Sequence, residues 1–229
     1  MGTTRWLPDM LEIERLQAFY GSAQALFGVD LQLRAGQMVV LQGLNGAGKS
    51  TLLKSVMGLE VHARGSVRLQ TSPGQMPEIL GWPSHRRAQA RLAYVAEDRR
   101  LFGSLTVKEN LQVAGGRRCA ERMAWVLERF ALLKPMLSRP AALMSGGEQQ
   151  LLAVARSLMT EPRVLLLDEP CEGISPVLVD ALVDVLLDLR SQGMALLVAE
   201  QNRLLSGAAD RVVVLVAGKV QGPQPRLHD

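Results

Sequence analysis

A chain of 229 residues, 48% apolar and 21% charged, is long enough to bury one sizeable core and too ordinary in composition to be disordered or fibrous. Its net charge of +4 and pI near 9.4 include arginines in small groups, Arg86-Arg87, Arg99-Arg100 and Arg117-Arg118, without interleaved aromatic rings; this reads as a solvated or partner-facing surface rather than a nucleic-acid groove. The apolar runs at 164–167, 195–199 and 212–217 fall far short of the roughly 18–20 residues that span a bilayer. Cys119 and Cys171, with no C-x-x-C spacing and no amino-terminal signal pattern, suit a reducing cytosol with neither disulfide nor zinc.

Segments 11–20 and 25–33 alternate apolar and polar residues, as half-buried strands do, with Gly21-Ser22 as the turn of an antiparallel pair. A short apolar run at 38–41 enters a glycine-rich loop, and 51–57 reads as a helix closed by Gly58. A strand is expected at 66–70, followed by a Pro- and Gly-containing loop or insertion at 71–83. Helical patterns dominate 106–159, with an amphipathic stretch at 120–132, breaks at Pro135 and Pro140, and a second helix at 147–159 after a small-residue turn. The run at 164–167 is apolar on both sides, as a buried parallel strand is, and ends in Asp168-Glu169-Pro170. Ser175 as N-cap and Pro176 as first residue open a helix to about Arg190; strands follow at 195–199, 211–216 and 219–221, the last two joined through Ala217-Gly218.

Gly43-Leu44-Asn45-Gly46-Ala47-Gly48-Lys49-Ser50 fits G-x-x-x-x-G-K-[ST] between a strand and a helix. Glycines let the backbone curl so that its N–H groups point at phosphate oxygens, the helix N-terminus adds a positive field, Lys49 supplies charge to the β- and γ-phosphates, and Ser50 serves as a ligand to Mg²⁺. Asp168 and Glu169, at the end of an apolar strand, suit the two carboxylate roles of nucleotide hydrolysis: Asp168 holds Mg²⁺ through its water shell and Glu169 polarises the attacking water. The alternative is an acidic cap on the following segment. Ser145-Gly146-Gly147-Glu148-Gln149-Gln150 precedes a helix, so its free N–H groups make a second anion-binding surface.

A phosphate loop, then an S-G-G-E-Q turn, then an apolar strand ending in Asp-Glu resembles the ATP-binding cassette (ABC) proteins from 11 to about 220. The resemblance implies a single ABC ATP-binding domain at 11–220, an α/β P-loop NTPase fold with a RecA-like core, an antiparallel β subdomain and an inserted α-helical subdomain at about 104–160. It implies ATP and Mg²⁺ as cofactors, and two cassettes paired head to tail. Each ATP would lie between one chain's phosphate loop, 43–51 through Thr51, and the other's signature turn of Ser145, Gly146, Gly147 and Glu148. Tyr20 falls where the family stacks an aromatic ring on adenine, the rival reading being a core-facing tyrosine. Most cassettes place a glutamine that senses Mg²⁺ where this chain has Glu97; the alternative is a solvated loop glutamate. Where most carry a γ-phosphate histidine this chain has Gln201, which donates a hydrogen bond but holds no titratable proton, leaving Glu169 as the base.

Glu97, Gln201 and the loop Glu172-Gly173-Ile174-Ser175-Pro176 look like the branched-chain amino acid and amide importer ATPases. That likeness implies permease subunits in the membrane, a second cassette that is a paralogue or the same chain, and indirectly a periplasmic or lipoprotein substrate-binding protein. It places the chain on the cytoplasmic face of a bacterial inner membrane. Ala96, Asp98, Met144 and Cys171 depart from the subfamily's pattern, so urea or short amides stay open beside branched-chain amino acids. Non-transport cassettes that act on nucleic acid or ribosomes fit less well, for they carry long coiled coils or two cassettes in one chain. No nucleic-acid partner is expected.

Overall fold

The computed structural model describes residues 8–222. β1 (Asp9–Tyr20) and β2 (Ala23–Arg34) pair antiparallel across the Gly21-Ser22 turn, and β4 (His62–Leu69) adds antiparallel to the other side of β1. The sheet order is β2-β1-β4. The buried residues of β1 change parity from Leu11 and Ile13 to Leu16 and Ala18, and the register shifts there too, at Arg15 with φ 46°. Such a bulge bends the strand while keeping its apolar set on one face.

The second sheet contains β3 (Met38–Gln42), β5 (Leu92–Val95), β6 (Val164–Asp168), β7 (Ala195–Ala199), β8 (Arg211–Val216) and β9 (Lys219–Gln221), in the order β5-β6-β7-β3-β8-β9. All its pairings are parallel except β8 with β9. β6 and β7 are buried on both faces, which is why each reads as an unbroken apolar run. Leu166 faces the core shared with the first sheet and α1 (Lys49–Met57), whereas Leu165 and Leu167 face a second core. The second core joins the sheet to α6 (Pro176–Ser191), α7 (Arg203–Ala208) and the helices of the 104–160 segment. Those helices are α3 (Val107–Ala114), α4 (Cys119–Arg129) and α5 (Gly146–Leu158), with 3₁₀ turns at Ala131–Met136, which holds Pro135, and at Ala141–Leu143, just after Pro140.

Three elements were not expected: α2 (Ser84–Gln89), β5 and α7. Each is four to six residues long, too short to display a period, and is held by neighbours rather than by its own propensity. The expectation that the arginine groups form a solvated surface is corrected at Arg87. It is 2% exposed and donates to the carbonyls of Ser55, Val56, Leu80 and Trp82, tying α2 to the C-terminal end of α1. Arg99 likewise turns inward onto Gln149 and Gln150 of α5. Ser175 occupies the N-cap position of α6, but its side chain makes no capping bond.

Parallel strands all deliver their carboxyl ends to one edge of the sheet. The residues after β3, β5, β6 and β7, namely Gly43, Ala96, Glu169 and Glu200, therefore share that edge. Ligands in open α/β sheets bind there.

Candidate nucleotide site

The loop from Gly43 curls back on itself, with Ala47 N–H donating to the Leu44 carbonyl at 3.0 Å, and α1 begins directly after Gly48. Gly48 has φ 105°, a conformation that a side chain resists, so glycine is required for the loop to enter the helix. The helix start aims its unpaired N–H groups at the cleft. Lys49 is the first residue of α1, its side chain only 4% exposed. Its Nζ donates to the Gly43 carbonyl at 2.9 Å and lies 3.1 Å from Glu169 Oε1.

Ser50 Oγ donates to Asp168 Oδ1 at 2.8 Å, and Tyr94 Oη donates to Oδ2 at 2.9 Å. Asp168 is 2% exposed. Burial raises its pKa above the ordinary carboxylate value, the bonds from Ser50 and Tyr94 oppose that rise, and the charges of Glu97 and Glu169 add to it. Tyr94 in turn is pushed up, by burial first and then by Asp168, so it stays a donor. Glu169 follows with φ 45°, in the left-handed region, and its N–H donates to the Ala199 carbonyl at 2.9 Å. That turn directs two consecutive carboxylates to different partners, Asp168 to Ser50 and Glu169 to Lys49.

A cleft of about 350 Å³ is lined by Asn45, Gly46, Gly48, Lys49, Ser50, Thr51, Glu97, Glu169 and Glu172. Glu97 thus faces the phosphate loop as well as solvent. Gln201 reaches the same loop, its Nε2 donating to Asn45 Oδ1 at 2.9 Å. Tyr20 is 44% exposed, which rules out the core-facing reading, and its hydroxyl lies 3.4 Å from Thr51 Oγ1.

The signature turn stands apart: among the described residues, none of Ser145, Gly146, Gly147 and Glu148 lines that cleft. Ser145 caps α5 in a closed box, its Oγ accepting from Glu148 N–H at 3.3 Å while Glu148 Oε2 accepts from Ser145 N–H at 2.7 Å. A Cβ on Gly147 would meet the tip of Leu178, which would have to move, so this face of α5 packs directly against the start of α6. The N–H groups of Gly146 and Gly147, like those at any helix start, have no partner within the helix.

Tyr94 and Glu172 escaped the sequence reading. Tyr94 carries no motif of its own, though it lies three residues before Glu97 in the same short segment; Glu172 enters the sequence reading only within the loop Glu172-Gly173-Ile174-Ser175-Pro176 that carries the subfamily likeness.

The ABC transporter family model matches residues 26–172. The chain is 39% identical over 216 residues to the high-affinity branched-chain amino acid transport ATP-binding protein BraG of Pseudomonas aeruginosa, covering 92% of this chain and 91% of that one. To the probable branched-chain amino acid transport ATP-binding protein LivF of Archaeoglobus fulgidus it is 36% identical, covering 92% and 90%. Among solved structures, an ATP-binding cassette of an ABC transporter without nucleotide superposes with a TM-score of 0.82 at 24% identity, covering 94% of this chain and 90% of that one. A dimeric cassette in a post-hydrolysis state bound to ADP and Pi superposes at 0.81 and 21% identity, covering 94% and 98%. With the phosphate loop, the Asp168-Glu169 strand end and the capped signature turn in this fold, the chain belongs to the ABC transporter family as an ATP-binding, ATP-hydrolysing cassette.

Proposed function

We propose that this cassette hydrolyses ATP, with Mg²⁺, to power import of branched-chain amino acids, working head to tail with a second cassette under permease subunits on the cytoplasmic face of a bacterial inner membrane. The observation that carries the reading is the convergence of Lys49, Ser50, Asp168 and Glu169 on one edge of the sheet, with Gln201 joined to it through Asn45. The names of the two relatives support the substrate class.

In this reading Lys49 and the loop N–H groups hold the phosphates and Tyr20 stacks on the base. Ser50 and Asp168, already a hydroxyl–carboxylate pair, suit a Mg²⁺ ion, which takes one or two protein oxygens and leaves its other positions to water and phosphate. When bound, the ion neutralises charge that develops on the β- and γ-oxygens. Glu97, a carboxylate that bare phosphate would repel, would face the nucleotide from the Mg²⁺ side of the cleft. Glu169 accepts the proton of the attacking water, and Gln201 donates to the γ-phosphate. Ser145, Gly146, Gly147 and Glu148 close on the nucleotide of the other chain. The helical segment at about 104–160 acts as a subdomain of the single domain at 11–220.

The test is reconstitution with candidate permease and cassette partners in liposomes, fed by a periplasmic or lipoprotein binding protein and labelled leucine. Leucine uptake that needs Lys49 supports the proposal. Urea or amide uptake instead would move the substrate. Turnover stimulated only by DNA or ribosomes would remove the importer reading.

A further inference from the structure

Glu200 directly follows the apolar strand β7 and is 5% exposed. Its Oε1 accepts from the N–H groups of Gln201 and Asn202 at 2.8 and 3.0 Å, and its Oε2 from that of Cys171 at 2.9 Å. The Cys171 thiol is a further, weaker donor to the same carboxylate, and burial first, then Glu200, pushes that thiol's pKa up. Glu200's own N–H donates to the Leu41 carbonyl in β3 at 3.0 Å. One side chain therefore fastens the turn after β6, two residues beyond Glu169, to the turn after β7 that carries Gln201.

The chemistry calls for a carboxylate. The N–H donors that converge on it are satisfied by two oxygens that only accept. A glutamine would turn an NH₂ group toward one of those N–H groups, and an aspartate is one methylene too short to span both turns.

We propose that Glu200 is a positioning residue that fixes the placement of Glu169 relative to Gln201. This rests on the reading of those two as the groups around the γ-phosphate. In-line attack tolerates little misplacement; a shift of about 1 Å costs on the order of 100-fold in rate. The phosphate loop touches these two residues through Asn45 and Lys49 but is shaped by its own bonds, Ala47 N–H to the Leu44 carbonyl and Lys49 Nζ to the Gly43 carbonyl, so the main effect falls on kcat.

Glu200→Gln and Glu200→Asp are expected to lower kcat about 10- to 100-fold with KM for ATP unchanged. In a Gln201→Ala background Glu200→Gln should cost clearly less than it does alone, because the two act as a unit. A readout free of catalysis is alkylation of Cys171 in a Cys119→Ser chain: slow with Glu200, and about 10-fold or more faster in both variants under conditions where each stays folded, as the tether that shields the thiol is lost. Normal kcat in both variants would overturn the proposal. So would a loss fully additive with Gln201→Ala, a rise in KM that accounts for the loss, or a Cys171 that stays protected. If instead Glu169→Gln and Gln201→Ala both turn over normally, the reading of the site fails, and the alkylation rate still reports whether Glu200 holds the two turns together.

Discussion

The phosphate-loop edge and the signature turn are both helix starts rich in small residues, yet they are built differently. At the first, Lys49, Ser50, Asp168, Glu169, Tyr94 and Gln201 come from four separate stretches of chain and are bonded across the sheet edge, Gln201 through Asn45 of the phosphate loop. At the second, the polar groups close locally, Ser145 and Glu148 capping each other within one turn. The first carries the means to bind a phosphate and activate water; the second offers only N–H groups at a helix end. A lone helix start is a weak anion site, worth roughly 0.3–1 kcal/mol when exposed. On the proposed reading, the signature turn gains its use only when it closes on a nucleotide already held elsewhere, which would be the physical sense of a cassette that needs a partner.

Variants on the two sides should break differently. Glu169→Gln is expected to lower kcat on the order of 100- to 10,000-fold while ATP binding persists and a closed dimer accumulates on sizing; unchanged turnover would assign the water to another residue. Lys49→Ala should weaken ATP binding on the order of 100-fold, as the loss of one or two charge-assisted hydrogen bonds does, measured by titration calorimetry. Ser145→Ala should leave ATP binding to the isolated chain intact, lower stability by about 1 kcal/mol through the lost cap, and reduce turnover only where two cassettes meet.

The smallest effect sharpens the first region alone. If Asp168 holds Mg²⁺ as proposed, proton and metal compete for a carboxylate whose pKa burial raises in the metal-free site, so Mg²⁺ affinity should weaken on the acid side at a pH above the ordinary carboxylate value of about 3.9. Tyr94→Phe removes a bond that favours the charged form, so that acid limb should move to higher pH. For folding the sign is opposite: a carboxylate whose folded pKa is raised makes the fold relatively more stable once protonated, so Asp168 should cost stability at neutral pH.

Much of this was legible in the sequence where a pattern is long or chemically specific. The phosphate loop, the long opening strands, α5, α6 and the apolar strands β6 and β7 fall within a few residues of where periodicity and caps place them. What stayed hidden depends on contacts between distant segments. Arg87 looks like any surface arginine until the carbonyls at the end of α1 surround it. Tyr94 becomes a site residue only because β5 pairs with β6 beside Asp168. Glu200 did leave a signal, an acid straight after a wholly apolar strand, the same pattern that marks Asp168 and Glu169. It went unread because no motif surrounds it.

The most direct test is specific ATPase activity over a range of chain concentrations, alone and titrated with the partner cassette, for the wild type and for Ser145→Arg. A site split between two chains predicts activity per chain that rises with concentration or with partner, and that collapses when the signature turn is blocked although Lys49 and Glu169 are intact. Activity per chain that stays constant on dilution and is indifferent to Ser145→Arg would mean that one cassette completes its own site, contradicting the account.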